Sequence, residues 1–80
     1  MSRSRDVVEV VARALADSPG AVRVTERESK GQVVVELFMA PGDLGRVIGR
    51  QGRTAAAMRT LVNATADIEG IKATLEFRDD

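Results

Sequence analysis

The stretch Leu44-Gly-Arg-Val-Ile-Gly-Arg-Gln-Gly-Arg53 decides the fold, since two glycines in it, Gly49 and Gly52, enclose two long polar residues. Glycine lets another backbone approach closely because it carries no Cβ. A Gly-x-x-Gly turn at the start of a helix therefore exposes N–H groups to a phosphate, and the helix dipole favours the negative charge. The four-residue pattern alone says little, since roughly a third of chains this long contain it by chance. Its neighbours must distinguish a ligand-binding loop from a plain turn between helices.

Segments with helical spacing lie on both sides of this turn. Asp43 stands where a helix N-cap belongs, and we expect a short helix over 44–48 and a longer one over 53–65. A further helix is predicted over 5–16, with Ser4 as its N-cap and a Pro-Gly break after it. In the longer helix, the stripe expected to be buried is Ala55, Met58, Leu61, Val62 and Thr65 or Ala66. Its outward face is expected to carry Arg53, Ala56, Arg59 and Asn63.

Three segments alternate between apolar and polar residues as strands do. Residues 21–28 and 32–39 form a predicted β-hairpin, because the Ser-Lys-Gly turn over 29–31 supplies a glycine for positive φ. Residues 70–78 alternate in the same way and form the last predicted strand. The second and third strands are joined through two helices, so we expect them to be parallel with a right-handed crossover.

The predicted fold class is α+β, with the element order α-β-β-α-α-β. Three amphipathic helices cover one face of a three-stranded mixed sheet. With 80 residues the chain is long enough for one domain, spanning 1–80, with residues 1–4 and 79–80 as frayed termini.

Composition excludes several classes of function. The chain has no Cys and no His, which removes thiol nucleophiles, disulfides, the commonest metal ligand and the commonest general base. No pair of acids occupies an evident pocket, so an enzyme is the weakest hypothesis, and we expect no metal and no cofactor. The apolar start is interrupted by Asp6 and Glu9, which argues against a signal peptide, and no segment is long enough to span a membrane. We therefore expect a cytoplasmic protein.

The charge of the chain is balanced overall but unevenly distributed. A formal net charge of zero argues weakly against nucleic-acid binding. Between Asp43 and Asp67, however, there is no acidic residue, and a locally basic face can still attract a polyanion. The arginines of that segment are Arg46, Arg50, Arg53 and Arg59.

The whole chain resembles a K-homology (KH) domain of the second topological type. The resemblance rests on Val47-Ile-Gly-Arg-Gln-Gly-Arg53 between a short and a longer helix, with a strand before and a strand after. More narrowly, the stretch from Asp43 to Ala55 in a chain of this length is similar to the small bacterial KH proteins called KhpA. Ala55 departs from KH domains at large, which usually have a bulky aliphatic residue there, and this puts the depth of the groove in doubt.

The resemblance implies a site for single-stranded RNA. In KH domains the Gly-x-x-Gly loop clamps the backbone of about four nucleotides. Carried over, Gly49 and Gly52 allow the close approach, while charged and polar side chains face the phosphates and apolar ones line a groove for the bases. The phosphate-facing candidates are Arg50, Gln51, Arg53 and Arg46, and the groove candidates are Val47 and Ile48, which are equally compatible with the core. For the arginines the alternative is a solvated helix face.

The resemblance also implies partners and a biological role. KhpA proteins form homodimers and a heterodimer with a larger RNA-binding partner, KhpB. The implied role is that of an RNA chaperone or post-transcriptional regulator, with links to cell elongation and division and hence to cell shape. The alternative is a protein-interaction or dimerisation module with weak or lost RNA binding, which the zero net charge and Ala55 favour.

Overall fold

A computed structural model of the chain describes residues 3–50 and 52–78, in the predicted α-β-β-α-α-β order. The elements are α1 (Arg3–Leu15), β1 (Arg23–Ser29), β2 (Gln32–Phe38), α2 (Pro41–Gly45), α3 (Gly52–Glu69) and β3 (Ala73–Arg78). A 3₁₀ turn (Pro19–Ala21) precedes β1, and a π-helical turn (Arg46–Arg50) follows α2. The predicted α+β class and element order are confirmed.

The sheet has the order β1-β2-β3, with β2 in the centre. The hairpin pair is antiparallel, with Val24 opposite Leu37, and β3 runs parallel to β2, with Val35 opposite Leu75. Both residues of the hairpin turn have positive φ, 53° at Lys30 and 80° at Gly31. A two-residue hairpin turn of this kind needs positive φ at both positions, so the prediction for the glycine is confirmed and the lysine accepts the same conformation.

The three helices cover one face of the sheet and enclose the core. At the centre of β2, Val35 and Leu37 have no exposed surface. The buried side chains of the helices are Val8 and Ala12 of α1, Leu44 of α2, and Ala55, Met58, Val62 and Ala66 of α3. Leu61 was predicted to be buried but is 44% exposed, because it lies at the rim of the contact between α1 and α3.

The start of α1 is fixed by α3 and not by a local cap. The hydroxyl of Ser4 is buried and donates to the carbonyl oxygen of Val62 (3.4 Å), so the prediction of Ser4 as N-cap was wrong. The N–H of Arg3 donates to the carboxylate of Glu69 (3.1 Å). The expectation of a frayed terminus is therefore wrong for residues 3–4, while residues 1–2 and 79–80 lie outside the described part of the chain.

The far end of α3 extends one turn beyond its predicted limit. Gly70 has φ of 72°, its N–H donates to Asp67 and the N–H of Ile71 donates to Ala66 (3.1 and 2.9 Å). These two hydrogen bonds form a Schellman motif, which ends a helix at a left-handed glycine. Within the described residues, no helix combines the length and apolarity needed to cross a membrane.

Candidate nucleic-acid interface

The element that carries the glycine loop is anchored by a buried carboxylate. Helix α2 begins at Pro41, a favoured first residue, so Asp43 lies inside the helix and the predicted helix over 44–48 was placed too late. The Asp43 side chain is only 6% exposed, and its oxygens accept the N–H groups of Asp17 (3.2 Å) and Ser18 (3.0 Å). Asp43 therefore fixes the connection after α1 to α2 and does not cap its own helix.

Arg46 belongs to the same anchor. Its guanidinium donates to the carboxylate of Asp17 (2.9 Å), to the carbonyl oxygen of Leu15 (2.9 Å) and to Asp43 (3.5 Å). The side chain is 30% exposed, and its Nε is buried without a hydrogen-bond partner among the described residues. The structure thus places Arg46 between two carboxylates under the loop, and not among the free charges that face solvent.

The π-helical turn after α2 contains the two apolar groove candidates, Val47 and Ile48, and places them in different surroundings. Val47 has no exposed surface and packs in the core, so it supports the loop from below and offers nothing to a base. Ile48 is 50% exposed and reaches the surface. Single π turns of this kind are frequent at functional sites.

The two glycines of the loop are not required by the fold. Gly49 lies in the π turn and Gly52 begins α3, and a Cβ at either position would meet no heavy atom within 4 Å. Neither has positive φ, in contrast to Gly31 and Gly70. The space before both glycines is open to an incoming ligand. Arg50 ends the π turn, and Gln51 lies outside the described residues.

The outward face of α3 begins next to the glycine loop. Gly52, Ala56, Arg59 and Asn63 are spaced by four, three and four residues, which places them on one face of a helix. All four are exposed, as was predicted for Ala56, Arg59 and Asn63. Arg53, also exposed, has no carboxylate partner among the described residues. Ala55 is 5% exposed and packs in the core, so its small size changes the packing beneath the helix and not the outward face.

Strand β3 forms the wall opposite α3. It is an edge strand of the sheet. The N–H of Val33 donates to the carbonyl oxygen of Lys72 (2.9 Å), and this hydrogen bond fixes which residues of β3 point their backbone groups toward β2. Because neighbouring residues of a strand point their N–H and C=O groups to opposite sides, the backbone groups of Leu75 and Phe77 face away from β2 and have no backbone partner in the described part of the chain. A cavity of about 670 Å³ runs along this edge. Its lining runs from Arg59 and Asn63 of α3 past Leu75 at the β3 edge onto the uncovered face of the sheet. The remaining lining residues are Arg27, Ser29, Lys30, Gln32, Val34, Thr74 and Glu76.

The sequence profile of the KhpA/KhpB KH domain family matches residues 5–77. The chain belongs to this family. It is 46% identical over 77 residues to RNA-binding protein KhpA of Aquifex aeolicus, covering 96% of this chain and 98% of the relative. It is 49% identical over 61 residues to RNA-binding protein KhpA of Caldanaerobacter subterraneus subsp. tengcongensis (76% and 81% covered). For RNA-binding protein KhpA of Leifsonia xyli subsp. xyli the identity is 47% over 70 residues (88% and 90% covered). No solved structure matches significantly.

Family membership agrees with the architecture, since α2, the glycine loop and α3 stand where a type II KH domain has them. The KhpA/KhpB family is one of RNA-binding proteins and not of enzymes. Within the described residues there is also no group of three side chains that could hold a metal ion.

The face of the sheet that no helix covers carries a set of ion pairs. Arg78 contacts both Glu36 (3.2 Å) and Glu76 (2.7 Å), and Arg27 contacts Glu36 (3.6 Å). The charges of that face neutralise one another, whereas the α3 side presents Arg53 and Arg59 without carboxylate partners among the described residues. Sequence reasoning left Arg59 open between a phosphate contact and a solvated helix face. It named neither Asn63 nor a residue of β3, although the helical spacing of Asn63 from Gly52 and the edge position of the last strand were the signals available.

Proposed function

We propose that this protein binds single-stranded RNA, with the loop from Gly49 to Gly52 against the sugar-phosphate backbone and the bases in the groove between α3 and β3. The observation that carries the proposal is the place of Gly49 and Gly52 in the KH fold, since both are exposed in the turn that leads from the π turn into the N-terminal end of α3. The names of the relatives, RNA-binding protein KhpA, support the choice of ligand.

The phosphate contacts are assigned to the loop and the first turn of α3. We assign two of these contacts to the loop residues Arg50 and Gln51, and Arg53 adds a charge that no described carboxylate neutralises. A phosphate there also gains from the N-terminal end of the α3 dipole. Arg46 supports this surface from beneath, and we assign it no direct phosphate contact.

The bases are assigned to the aliphatic and polar walls of the groove. Ile48 is exposed next to the loop, and the free N–H and C=O groups of Leu75 and Phe77 offer a donor and an acceptor to the edge of a base. This pairing of an apolar floor with a few polar groups is common in ligand sites.

One domain that holds about four nucleotides binds weakly, so we propose that the protein acts as a multimer. The α1–α3 groove is a narrow apolar cleft with no room for a water molecule, lined by Val7, Val8, Val11, Met58 and Leu61. The side chain of Leu61 at its rim is 44% exposed, and this exposed apolar surface supports a homodimer or a heterodimer with a KhpB-type protein. In such an assembly the protein would act in the cytoplasm as an RNA chaperone or post-transcriptional regulator, with effects on cell elongation and shape.

A protein-interaction module without RNA binding is the second candidate. The same α1–α3 groove favours it, as does the zero net charge. The two candidates differ in what the glycine loop does, because only RNA binding needs the loop surface.

The test is binding of short fluorescent single-stranded RNAs, measured by anisotropy across a range of salt. With three or four phosphates neutralised, log K should fall with log salt at a slope of roughly −2 to −3. Replacing Arg50 and Gln51 together by Asp should abolish binding and leave the circular dichroism spectrum unchanged. Full affinity in that variant contradicts the site, and a wild-type protein that binds no RNA supports the interaction module.

A further inference from the structure

Arg59 and Phe77 form a cation–π pair between α3 and β3. The Cζ atom of Arg59, on α3, lies 4.9 Å from the centroid of the Phe77 ring, on β3. Arg59 is exposed and Phe77 is half-buried, so the ring faces the core side and the guanidinium faces the groove. A cation over an aromatic ring at this distance is held by the ring's quadrupole.

The guanidinium of Arg59 has no carboxylate partner among the described residues. In contrast, Arg27 and Arg78, on the other face of the sheet, both contact Glu36. Contact with the ring of Phe77 therefore orients Arg59. Within the described residues, no carboxylate competes with a ligand for its guanidinium.

The position of Arg59 suits a nucleotide held by the glycine loop. It lies seven residues after Gly52 on the same face of α3, about 10 Å along the helix axis. Ala56, which lies between them on that face, is exposed and carries only a methyl group. Arg59 also lines both adjoining cavities of the groove, one with Asn63 and the other with Phe77.

The chain offers bases no bare aromatic surface on which to stack. It has no Trp and no Tyr. Of its two phenylalanines, Phe38 lies under Arg23 (4.4 Å from Cζ to ring centroid) and Phe77 lies under Arg59. The flat group presented to the groove is thus a guanidinium, and RNA bases stack on arginine planes as well as on aromatic rings.

We propose that the Arg59–Phe77 pair is a stacking platform for one nucleobase and that it makes the protein prefer a purine at that nucleotide. The two fused rings of a purine cover more of the guanidinium plane than the single ring of a pyrimidine. This inference rests on the proposed RNA-binding function and adds to it a base preference and the residue that sets it.

The experiment compares wild type with Arg59→Lys, which keeps the charge and removes the plane. Short single-stranded RNAs carrying a purine, a pyrimidine or an abasic unit at each position in turn are titrated by fluorescence anisotropy. At one position the wild type should favour the purine over the abasic unit by about tenfold, the usual effect of a single stack. Arg59→Lys should bind the two RNAs equally and keep the salt slope of the wild type. Arg23→Lys, which removes the equivalent pair with Phe38 on the opposite face, is the matched control and should bind as wild type does.

Two results overturn the inference while RNA binding stands. One is a wild-type protein that binds purine, pyrimidine and abasic RNAs equally well. The other is an Arg59→Lys variant that retains the purine preference or loses affinity equally for abasic RNA. A wild-type protein that binds none of the RNAs overturns the proposed function itself.

Discussion

Gly49 and Gly52 differ from Gly31 and Gly70 in what the fold asks of them. Gly31 and Gly70 have φ of 80° and 72°, a region that residues with a side chain rarely adopt. Gly49 and Gly52 have ordinary φ and face open space. At the scale of single residues, Gly31 and Gly70 allow a backbone conformation with positive φ, whereas Gly49 and Gly52 leave the surface of the loop without side chains at their positions.

This distinction predicts that a side chain added at Gly49 weakens RNA binding without lowering the stability of the fold. Gly49→Ala should leave the free energy of unfolding unchanged or raise it by up to about 1 kcal/mol, since alanine is the better helix former. RNA affinity should fall by about tenfold, because the methyl group blocks backbone N–H contacts with a phosphate. Thermal unfolding and anisotropy titration measure the two effects. Gly42→Ala, at an exposed position with equally open space, should leave RNA affinity unchanged. Unchanged affinity in Gly49→Ala would contradict the role of the loop.

At the scale of elements, α2 and the π turn are held to the end of α1 by polar contacts. Asp43 accepts two N–H groups from the connection after α1, and Arg46 reaches Leu15 and Asp17 from the other side. Buried carboxylates persist when such partners satisfy them. The orientation of the glycine loop therefore depends on a connection that is distant in sequence.

The two arginines next to the loop should respond differently to neutralisation. Arg46→Gln should lower the free energy of unfolding by about 1 to 2 kcal/mol, since Asp17 and Leu15 lose a charged donor. It should leave the salt slope of RNA binding unchanged, because Asp17 and Asp43 already neutralise that charge. Arg53→Gln should keep the stability and reduce the slope by about 0.7, the share of one phosphate. Denaturant unfolding and salt titration separate the two. An Arg46→Gln variant that loses as much slope as Arg53→Gln would mean that Arg46 contacts phosphate.

At the scale of the whole molecule, the two proposed interfaces lie on different sides of α3. The proposed groove for RNA lies between α3 and β3, while the α1–α3 groove lies on the other flank of α3. Leu61 of this second groove is 44% exposed although it is a large apolar side chain. Such a surface suits a protein partner and leaves the RNA groove free in an assembly.

If the α1–α3 groove mediates self-association, a charge in it should separate the subunits. Leu61→Asp should weaken the dimer by at least about tenfold, since burying an unpaired charge costs more than 1.4 kcal/mol. RNA avidity should fall with it, while the monomer stays folded because Leu61 lies at the rim of the core. Sedimentation velocity gives the association constant. Ile68→Asp, at a 76% exposed residue of α3 that does not line the groove, is the control. Equal weakening by both changes, or a wild-type protein that stays monomeric at high concentration, would refute this interface.

The sequence by itself determined the element order, the hairpin and the outward face of α3. These follow from local rules, since apolar spacing and turn residues act between positions a few residues apart. The position of Gly49 and Gly52 at the start of α3, and the exposure of Arg53 and Arg59 on it, could therefore be predicted without a structure.

Only the tertiary structure decided where the polar groups around the loop point. Asp43 looks like an N-cap in the sequence, yet its partners Asp17 and Ser18 lie 26 and 25 residues away, and Arg46 reaches Leu15 across 31 residues. Val47 and Ile48 are neighbouring aliphatic residues that no local rule distinguishes, and packing buries one and exposes the other. Hydrogen bonds and burial over such separations depend on how the helices meet the sheet, and local sequence patterns do not contain that information.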